Sequence, residues 1–328
     1  MRVSDLHYPV MLDEVLTALA PKDNGHYLDA TFGDGGYSTA ILNRSKCVVG
    51  AIDRDPDAIQ RAASNMRDFG DRFTIFEGPF SALETLTAGT DFEALDGIVF
   101  DLGVSSPQLD EAERGFSFRF DGPLDMRMSQ SGLSAADIVN QAGEKELSQI
   151  IWNYGEDRAA RRIARAIVKA RETNSITRTL ELAEIVRSVL PRQKPGQMDP
   201  ATRTFQALRI EVNGELDEIR AALSAAETRL KPDGVLVVVS FHSLEDRIVK
   251  QFLATRSGNV SQGSRHRPAI VMPEPSFTIT SRKPILPTDT ECAENPRSRS
   301  AKMRVGYRTP APAFADNDTA QAYLQEHA

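Results

Sequence analysis

Cysteine is scarce: Cys47 and Cys292 are the only two in 328 residues, and neither has a partner at metal-ligand spacing. That argues against a disulfide scaffold or a zinc ribbon and fits a reducing compartment. The N-terminus, Met1-Arg2-Val3-Ser4-Asp5-Leu6-His7, has no apolar h-region, so no signal peptide is expected. The apolar run Val235-Leu236-Val237-Val238-Val239 is bounded by Gly234 and Ser240, far too short to cross a bilayer. A cytoplasmic location with no membrane partner is the expectation. Internal repeats and low-complexity segments are also missing. Positive charge is in deficit, with 39 Lys+Arg against 46 Asp+Glu and a net charge of −7. Such a balance normally counts against a nucleic-acid partner, but an average hides local clusters.

What is present is an ordinary globular composition, 41% hydrophobic and 26% charged, in a chain long enough for two domains or a core with a large insertion. The first hundred residues alternate helix and strand patterns. Apolar runs at Tyr27–Phe32, Cys47–Asp53, Phe73–Phe76 and Leu95–Asp101 read as buried strands, with helices over Pro9–Ala20, from Ser38, and over Pro56–Met66. This rhythm predicts an α/β fold with a doubly wound, mainly parallel sheet, whose ligands sit beyond the C-terminal ends of the strands.

From about Asp110 to Pro200 no buried strand is evident. Glu144–Tyr154, Arg158–Glu172 and Thr179–Leu190 read as helices, followed by a loop with Pro191, Pro195, Gly196 and Pro200. Asp199-Pro200 reads as an N-cap with a first-turn proline, and Phe205, Leu208, Val212 and Leu216 form one stripe of the next helix. The sheet resumes at Val235–Phe241, with Phe277–Thr280 and Met303–Tyr307 as a last antiparallel pair. The expected organisation is a discontinuous catalytic domain over 1–109 and 215–310, an inserted helical domain over 110–214, and a flexible tail over 311–328.

Asp29-Ala30-Thr31-Phe32-Gly33-Asp34-Gly35-Gly36 lies where the first strand turns into the first helix of the sheet. Glycines there let the backbone approach a ligand, and the helix N-terminus offers free N–H groups. A dinucleotide fingerprint would place glycine at 38, which is Ser38. The Asp-x-x-x-Gly-x-Gly loop of S-adenosylmethionine-dependent methyltransferases fits better. Asp53, ending the second strand, is then placed to accept from two ribose hydroxyls.

Asp101-Leu102-Gly103-Val104-Ser105-Ser106-Pro107-Gln108 follows the fourth strand on the same sheet edge. Amino-methyltransferases carry a short polar-Pro-Pro-aromatic loop there; this chain lacks it but keeps a carboxylate, two hydroxyls and an amide. An exocyclic amine is a poor nucleophile until an acceptor orients one N–H, and Asp101 is the first candidate for that role. The plainer reading, that Asp101 caps the strand or touches cofactor, stands beside it.

Arg114-Gly115-Phe116-Ser117-Phe118-Arg119-Phe120 interleaves arginine with aromatics, a pattern suited to stacking on an unpaired base; core packing is the alternative for each phenylalanine. Ser240-Phe241-His242-Ser243-Leu244-Glu245-Asp246-Arg247 ends the fifth strand, with Ser243 and Asp246 resembling a capping box. No second ligand pair accompanies His242 and Glu245, so no metal site is expected. Arg158, Arg161, Arg162, Arg165 and Lys169 share one helix face. Residues 247–308 hold twelve Lys/Arg against four acids, densest at Asn295–Lys302, which suggests a phosphate-binding surface including Arg297, Arg299 and Lys302.

Taken together these segments resemble the bacterial small-subunit ribosomal RNA (cytosine-N4)-methyltransferase family, also called MraW. The motifs run from His7-Tyr8-Pro9-Val10-Met11-Leu12 through Asp29–Gly36, Ile52–Pro56, Asp101–Gln108, Arg114–Phe118, Leu124–Met128, Thr204–Ile210 and Ser240–Arg247 to Asn295–Lys302. The resemblance implies a Rossmann-like class I methyltransferase core with an inserted helical domain. It implies methyl transfer from S-adenosyl-L-methionine to N4 of a decoding-region cytosine in 16S ribosomal RNA, in a 30S particle, and leaves a homodimer open. Cofactor contacts carried over are Gly35, Gly36, Tyr37, Asp53, Phe80, Asp101 and Gln108, beside Gly33 from the loop pattern. Arg114, Phe116, Phe118, His242, Arg247, Arg297, Arg299 and Lys302 are candidates for the RNA. One departure is Tyr37, where the family usually has histidine; a backbone contact would survive that change and an imidazole role would not. Two alternatives remain: an amino-methyltransferase acting on DNA, and a nucleic-acid-binding regulator retaining a cofactor site.

Overall fold

All seven expected strand segments overlap strands of the structure, five of them to within two residues at both ends, because apolar runs are stable where both faces of a strand are covered. The computed structural model describes residues 9–191, 198–259 and 273–314. The chain forms two compact units, Met1–Gly103 with Leu216–Ala328, and Val104–Glu215.

The first unit is built on a seven-stranded sheet. Its strands are β1 (His26–Asp29), β2 (Val48–Asp53), β3 (Phe73–Glu77), β4 (Leu95–Asp101), β5 (Leu230–Ser240), β6 (Phe277–Thr278) and β7 (Lys302–Arg308). The order is β3-β2-β1-β4-β5-β7-β6. Strands β1 to β5 pair in parallel, while β7 pairs antiparallel with both β5 and β6. The mainly parallel sheet expected from the sequence is therefore present. The order reverses between β1 and β4, which puts Asp29, Asp53 and Asp101 at neighbouring strand ends. Within β5, Leu230 pairs with Leu95 and Val235 with Gly97, so Lys231–Gly234 bulge out with Asp233 at φ 65°.

Helices α1 (Leu12–Leu19), α2 (Gly36–Arg44), α3 (Pro56–Asn65) and α4 (Leu83–Leu86) belong to this unit. α3 begins as its sequence directs: the Asp55 carboxylate accepts the Asp57 N–H at 3.1 Å, and Pro56 sits in the first turn, where no intrahelical N–H bond is needed. Val15, Leu19, Tyr27, Ile41, Val49, Val99, Val237 and Met303 are buried in one core cluster.

The second unit contains α5 (Ser106–Asp110), α6 (Ala135–Gln141), α7 (Glu144–Gly155), α8 (Ala160–Arg171), α9 (Thr179–Ser188) and α10 (Thr202–Asn213). Leu147, Ile151, Ile163, Ile167, Leu182, Val186, Phe205 and Leu208 form its core. Two expectations are corrected here. Asp199 does not cap α10; its Oδ1 accepts the Ala201 N–H at 2.9 Å, its carboxylate grips Arg187 at 2.8 Å, and the helix starts at Thr202. Leu216 does not continue the α10 stripe, because Gly214 at φ 61° ends that helix and α11 (Glu215–Arg229) begins a new one.

α12 (Ser243–Arg256) and α13 (Asp289–Glu294) complete the first unit. Of the tail expected over 311–328, residues 311–314 are held: Arg308 donates to the Ala311 carbonyl at 2.7 Å and the Phe314 N–H donates to Glu227 at 3.1 Å. Residues 315–328 lie outside the described residues, as do His7, Tyr8, Pro195, Gly196, Arg265 and Arg267. Among the described residues, no helix is long and apolar enough to cross a membrane.

Candidate functional site

The loop after β1 is wired by the carboxylate that precedes it. Asp29 is fully buried and accepts from the Thr31 N–H at 3.2 Å, the Ser38 N–H at 3.2 Å and the Ser38 hydroxyl at 2.8 Å. Burial raises its carboxyl to about 6 in spite of those three donors. With its oxygens so engaged, Asp29 shapes the loop. Ser38, where a dinucleotide site would have glycine, is the residue that ties α2 to β1.

The loop then crosses to β2. Phe32 donates its N–H to the Ile52 carbonyl at 3.0 Å, and Gly33 donates to Asp53 Oδ2 at 2.8 Å. The other oxygen, Asp53 Oδ1, accepts the Asp55 N–H at 2.8 Å. Each oxygen thus keeps one further acceptor direction. Burial pushes the Asp53 carboxyl above its ordinary range, opposed by those two N–H groups. Gly35 sits at φ 81°, and a Cβ there would lie 2.7 Å from the Phe32 ring. A Cβ on Gly36 would lie 2.3 Å from the Pro9 ring. Both glycines are therefore required by close approach, and they place the first N–H groups of α2 at the loop.

Tyr37 is buried, and its hydroxyl donates to the Val10 carbonyl. Its side chain anchors the segment before α1, so only its backbone N–H is available to a ligand. Phe80 follows β3 and packs edge-on against Phe100, with ring centroids 5.9 Å apart. In the second unit, Gln108 is buried and its Oε1 accepts the Ser105 N–H at 3.0 Å, capping the start of α5.

Asp101 ends β4. Its N–H donates to Thr31 Oγ1 at 2.7 Å, while its Oδ1 is inaccessible to solvent and has no hydrogen-bond partner. Burial, reinforced by the carboxylates of Asp29 and Glu245, drives its carboxyl well above the ordinary range. Thr31 had not been marked out by motif reasoning, and Glu245 had been weighed only as a metal or hydrolase group. A threonine two residues past a strand-end aspartate carries no sequence signal that it will reach across to β4.

Beyond β5, Glu245 is fully buried and its Oε2 accepts the N–H groups of Phe241 at 2.8 Å and His242 at 3.2 Å. Glu245 therefore caps the start of α12 at His242, one residue before Ser243. Glu245 Oε1 lies 3.0 Å from His242 Nε2 without a hydrogen bond between them, and His242 Nδ1 has no hydrogen-bond partner among the described residues.

Several RNA candidates have other work. Arg114 donates to the carbonyls of Arg127 and Met128, both at 3.2 Å, and Phe116 is 6% exposed within the second unit's core. Phe118 packs against Phe205 at 4.7 Å under the Arg187 guanidinium. Arg114, Phe116 and Phe118 are thus packing elements, whereas Arg119 and Phe120 of the same motif are exposed. Part of the positive excess over 247–308 is internal. Arg256, Arg304 and Arg308 are buried, pairing with Glu227 at 2.6 Å, with Asp246 at 2.6 Å and with four main-chain carbonyls respectively. Lys302 lies 3.7 Å from Asp246, and exposed Arg299 donates to the Cys292 carbonyl at 3.3 Å. Arg247 is exposed and Arg297 half-buried.

Asp29 and Glu245, fully buried, together with half-buried Asp53 and Asp101 make this strand edge a cluster of carboxylates. A pyrophosphate would be repelled there. A ligand with cationic groups and two vicinal hydroxyls suits it, which is the make-up of S-adenosylmethionine.

Comparison with known proteins agrees. The model of the MraW methylase family matches residues 4–309. The ribosomal RNA small subunit methyltransferase H of Cereibacter sphaeroides (strain KD131 / KCTC 12085) is 57% identical over 307 residues, covering 94% of this chain and 91% of its own. The protein of the same name from Rhodopseudomonas palustris (strain ATCC BAA-98 / CGA009) is 54% identical over 319 residues, covering 97% and 96%. Among solved structures, a SAM-dependent O-methyltransferase from Thermotoga maritima is similar with a TM-score of 0.40 and 11% identity, over 94% of this chain and 68% of that one.

Proposed function

Because the chain belongs to the MraW methylase family and so is a methyltransferase using S-adenosylmethionine, we propose that it methylates the exocyclic N4 of a decoding-region cytosine in 16S ribosomal RNA. The observation that carries this is Asp101 Oδ1: a buried acceptor with no partner, beside the cofactor loop and tied to it through Thr31. An amine N–H is a donor it can take.

S-adenosylmethionine, when bound, supplies an electrophilic methyl group on a cationic sulfur. Asp53 accepts from the ribose hydroxyls, and Gly33, Gly35, Gly36 and Tyr37 offer backbone groups to the amino-acid end. Phe80 borders the adenine, and Gln108 contributes its amide. Asp101 takes one N–H of the target amine and turns the nitrogen lone pair toward the methyl, so its effect is chiefly on orientation. His242, beside Glu245 and with Nδ1 lacking a partner among the described residues, is the substrate-side residue at the next strand end and accepts the proton that the amine sheds. Arg247, Arg297, Arg299 and Lys302 approach RNA phosphates. The location is cytoplasmic, where the 30S particle is assembled.

The test is mass spectrometry of nucleosides from small-subunit ribosomal RNA with and without the gene. Loss of N4-methylcytidine derivatives, restored by the natural chain and not by Asp53→Ala, is the expected result. An unchanged RNA profile would reject the assignment, and loss of N4-methylcytosine from DNA instead would select the DNA enzyme.

A further inference from the structure

In the tail that looked most basic in the sequence, Arg256, Arg304 and Lys302 are paired with Glu227 or Asp246, whereas the cations of α8 meet one acid between them. Ala160, Ile163, Ala164 and Ile167 bury one side of α8. On the other side Arg161, Arg162, Arg165 and Lys169 are exposed, within an arc of about 100° and a length of about 12 Å at ordinary helical geometry. Arg158, just before the helix, is exposed as well. The one acidic contact to this group among the described residues is Arg165 with Glu144, at 3.5 Å between two largely exposed side chains.

A solvated face usually mixes both signs, and this protein carries a net charge of −7, so acids are plentiful elsewhere. Here like charges stand at i,i+4 in the pairs Arg161–Arg165 and Arg165–Lys169, which opposes helix formation. Four of the five cations are arginines, whose planar fork matches a phosphate with two parallel hydrogen bonds. An unneutralised stripe of this kind gains most from a polyanion. We propose that the exposed face of α8, formed by Arg158, Arg161, Arg162, Arg165 and Lys169, is a docking surface for the phosphate backbone of the ribosomal RNA substrate. This rests on the RNA reading of the function and adds a second contact region, on the helical unit, to the residues at the sheet edge.

The experiment measures binding of the full chain to small-subunit ribosomal RNA across a salt series, comparing the natural chain with R158Q/R161Q/R162Q/R165Q. These side chains are exposed and hold almost no internal contacts, so helix content by circular dichroism and S-adenosylmethionine affinity should be unchanged. Each lost phosphate contact removes about 0.7–0.9 from the slope of log affinity against log salt, so the slope should fall by about 3. Binding near 0.1 M salt should weaken at least tenfold, with KM for RNA rising and kcat at saturating RNA retained. The R158K/R161K/R162K/R165K variant should recover most of the slope. An unchanged slope in the glutamine variant, with the natural chain binding normally, would overturn the surface and leave the methyltransferase reading standing. Failure of the natural chain to bind this RNA at all would overturn both. Loss of an acidic protein partner with RNA binding intact would also reject the proposal.

Discussion

Replacing Asp53 by alanine separates what that carboxylate does for the cofactor from what it does for the loop. Its two oxygens each hold one main-chain N–H, from Gly33 and Asp55, both at 2.8 Å. The remaining acceptor directions are those assigned to the ribose hydroxyls. Hydrogen bonds to a charged acceptor are worth about 1.5–3 kcal/mol each, so losing two to the cofactor costs about 3 kcal/mol at the least. That corresponds to roughly a hundredfold weaker binding of S-adenosylmethionine. The two orphaned N–H groups add about 2 kcal/mol of lost stability if buried, a fall of roughly 4–8 °C in Tm for a unit of this size. Calorimetric titration reads the first effect and a thermal scan the second. Asp53→Asn should keep one acceptor and lose the other, because its NH₂ must face an N–H; affinity should fall between the natural chain and Asp53→Ala. Unchanged cofactor affinity in a folded Asp53→Ala protein would refute the placement. A Tm loss without an affinity loss would reduce Asp53 to a loop tie.

Three further outcomes follow from the same edge and its surroundings. Asp101→Asn should lower kcat at least tenfold while cofactor and RNA affinities change less than threefold, orientation being worth about that much or more; equal losses in kcat and binding would show that Asp101 is a binding group. Asp29 has a carboxyl raised from 3.8 to about 6, so the unfolded chain ionises first as pH rises. Its contribution is therefore neutral below about pH 4, falls between about 4 and 6, and stays unfavourable by about 3 kcal/mol above. Asp29→Asn should remove that segment of the pH-stability curve, and parallel urea-denaturation curves for the two proteins across this range would contradict it. Arg256 is buried on Glu227, which also accepts from the Ser276 hydroxyl and the Phe314 N–H. Arg256→Met should destabilise by about 3–5 kcal/mol through the uncompensated carboxylate, with Arg256→Met/Glu227→Leu less affected than the single variant; a double variant worse than the single would show that packing over Phe252 and Phe314 dominates.

The parts of this molecule that were legible in the sequence are those set by local periodicity. Val48–Asp53 and Leu95–Asp101 read as buried strands because both faces are apolar, and the α8 stripe read as one face because i, i+3 and i+4 neighbours meet on any helix. Short elements escaped for the converse reason. α5 and α6 span five and seven residues, too few for a period to show, and are held at their starts by Gln108 on the Ser105 N–H and by a capping box at Ser134. What no local pattern could settle was which partner a polar residue finds. Asp199-Pro200 has the form of a cap, yet Arg187, twelve residues upstream, claims the carboxylate. Arg114 has the form of an RNA contact, yet its fork closes on carbonyls thirteen and fourteen residues downstream. The charge excess over 247–308 was counted without Glu227 and Asp246, the two acids that neutralise its buried members. The same limit explains Asp101. Its place at a strand end is visible in the motif, but the role proposed for it rests on an oxygen that no described residue satisfies, and an unmet acceptor is a property of the folded surroundings. A polar residue's motif therefore locates it on the fold, and the inventory of its partners, including the one it lacks, decides what it does.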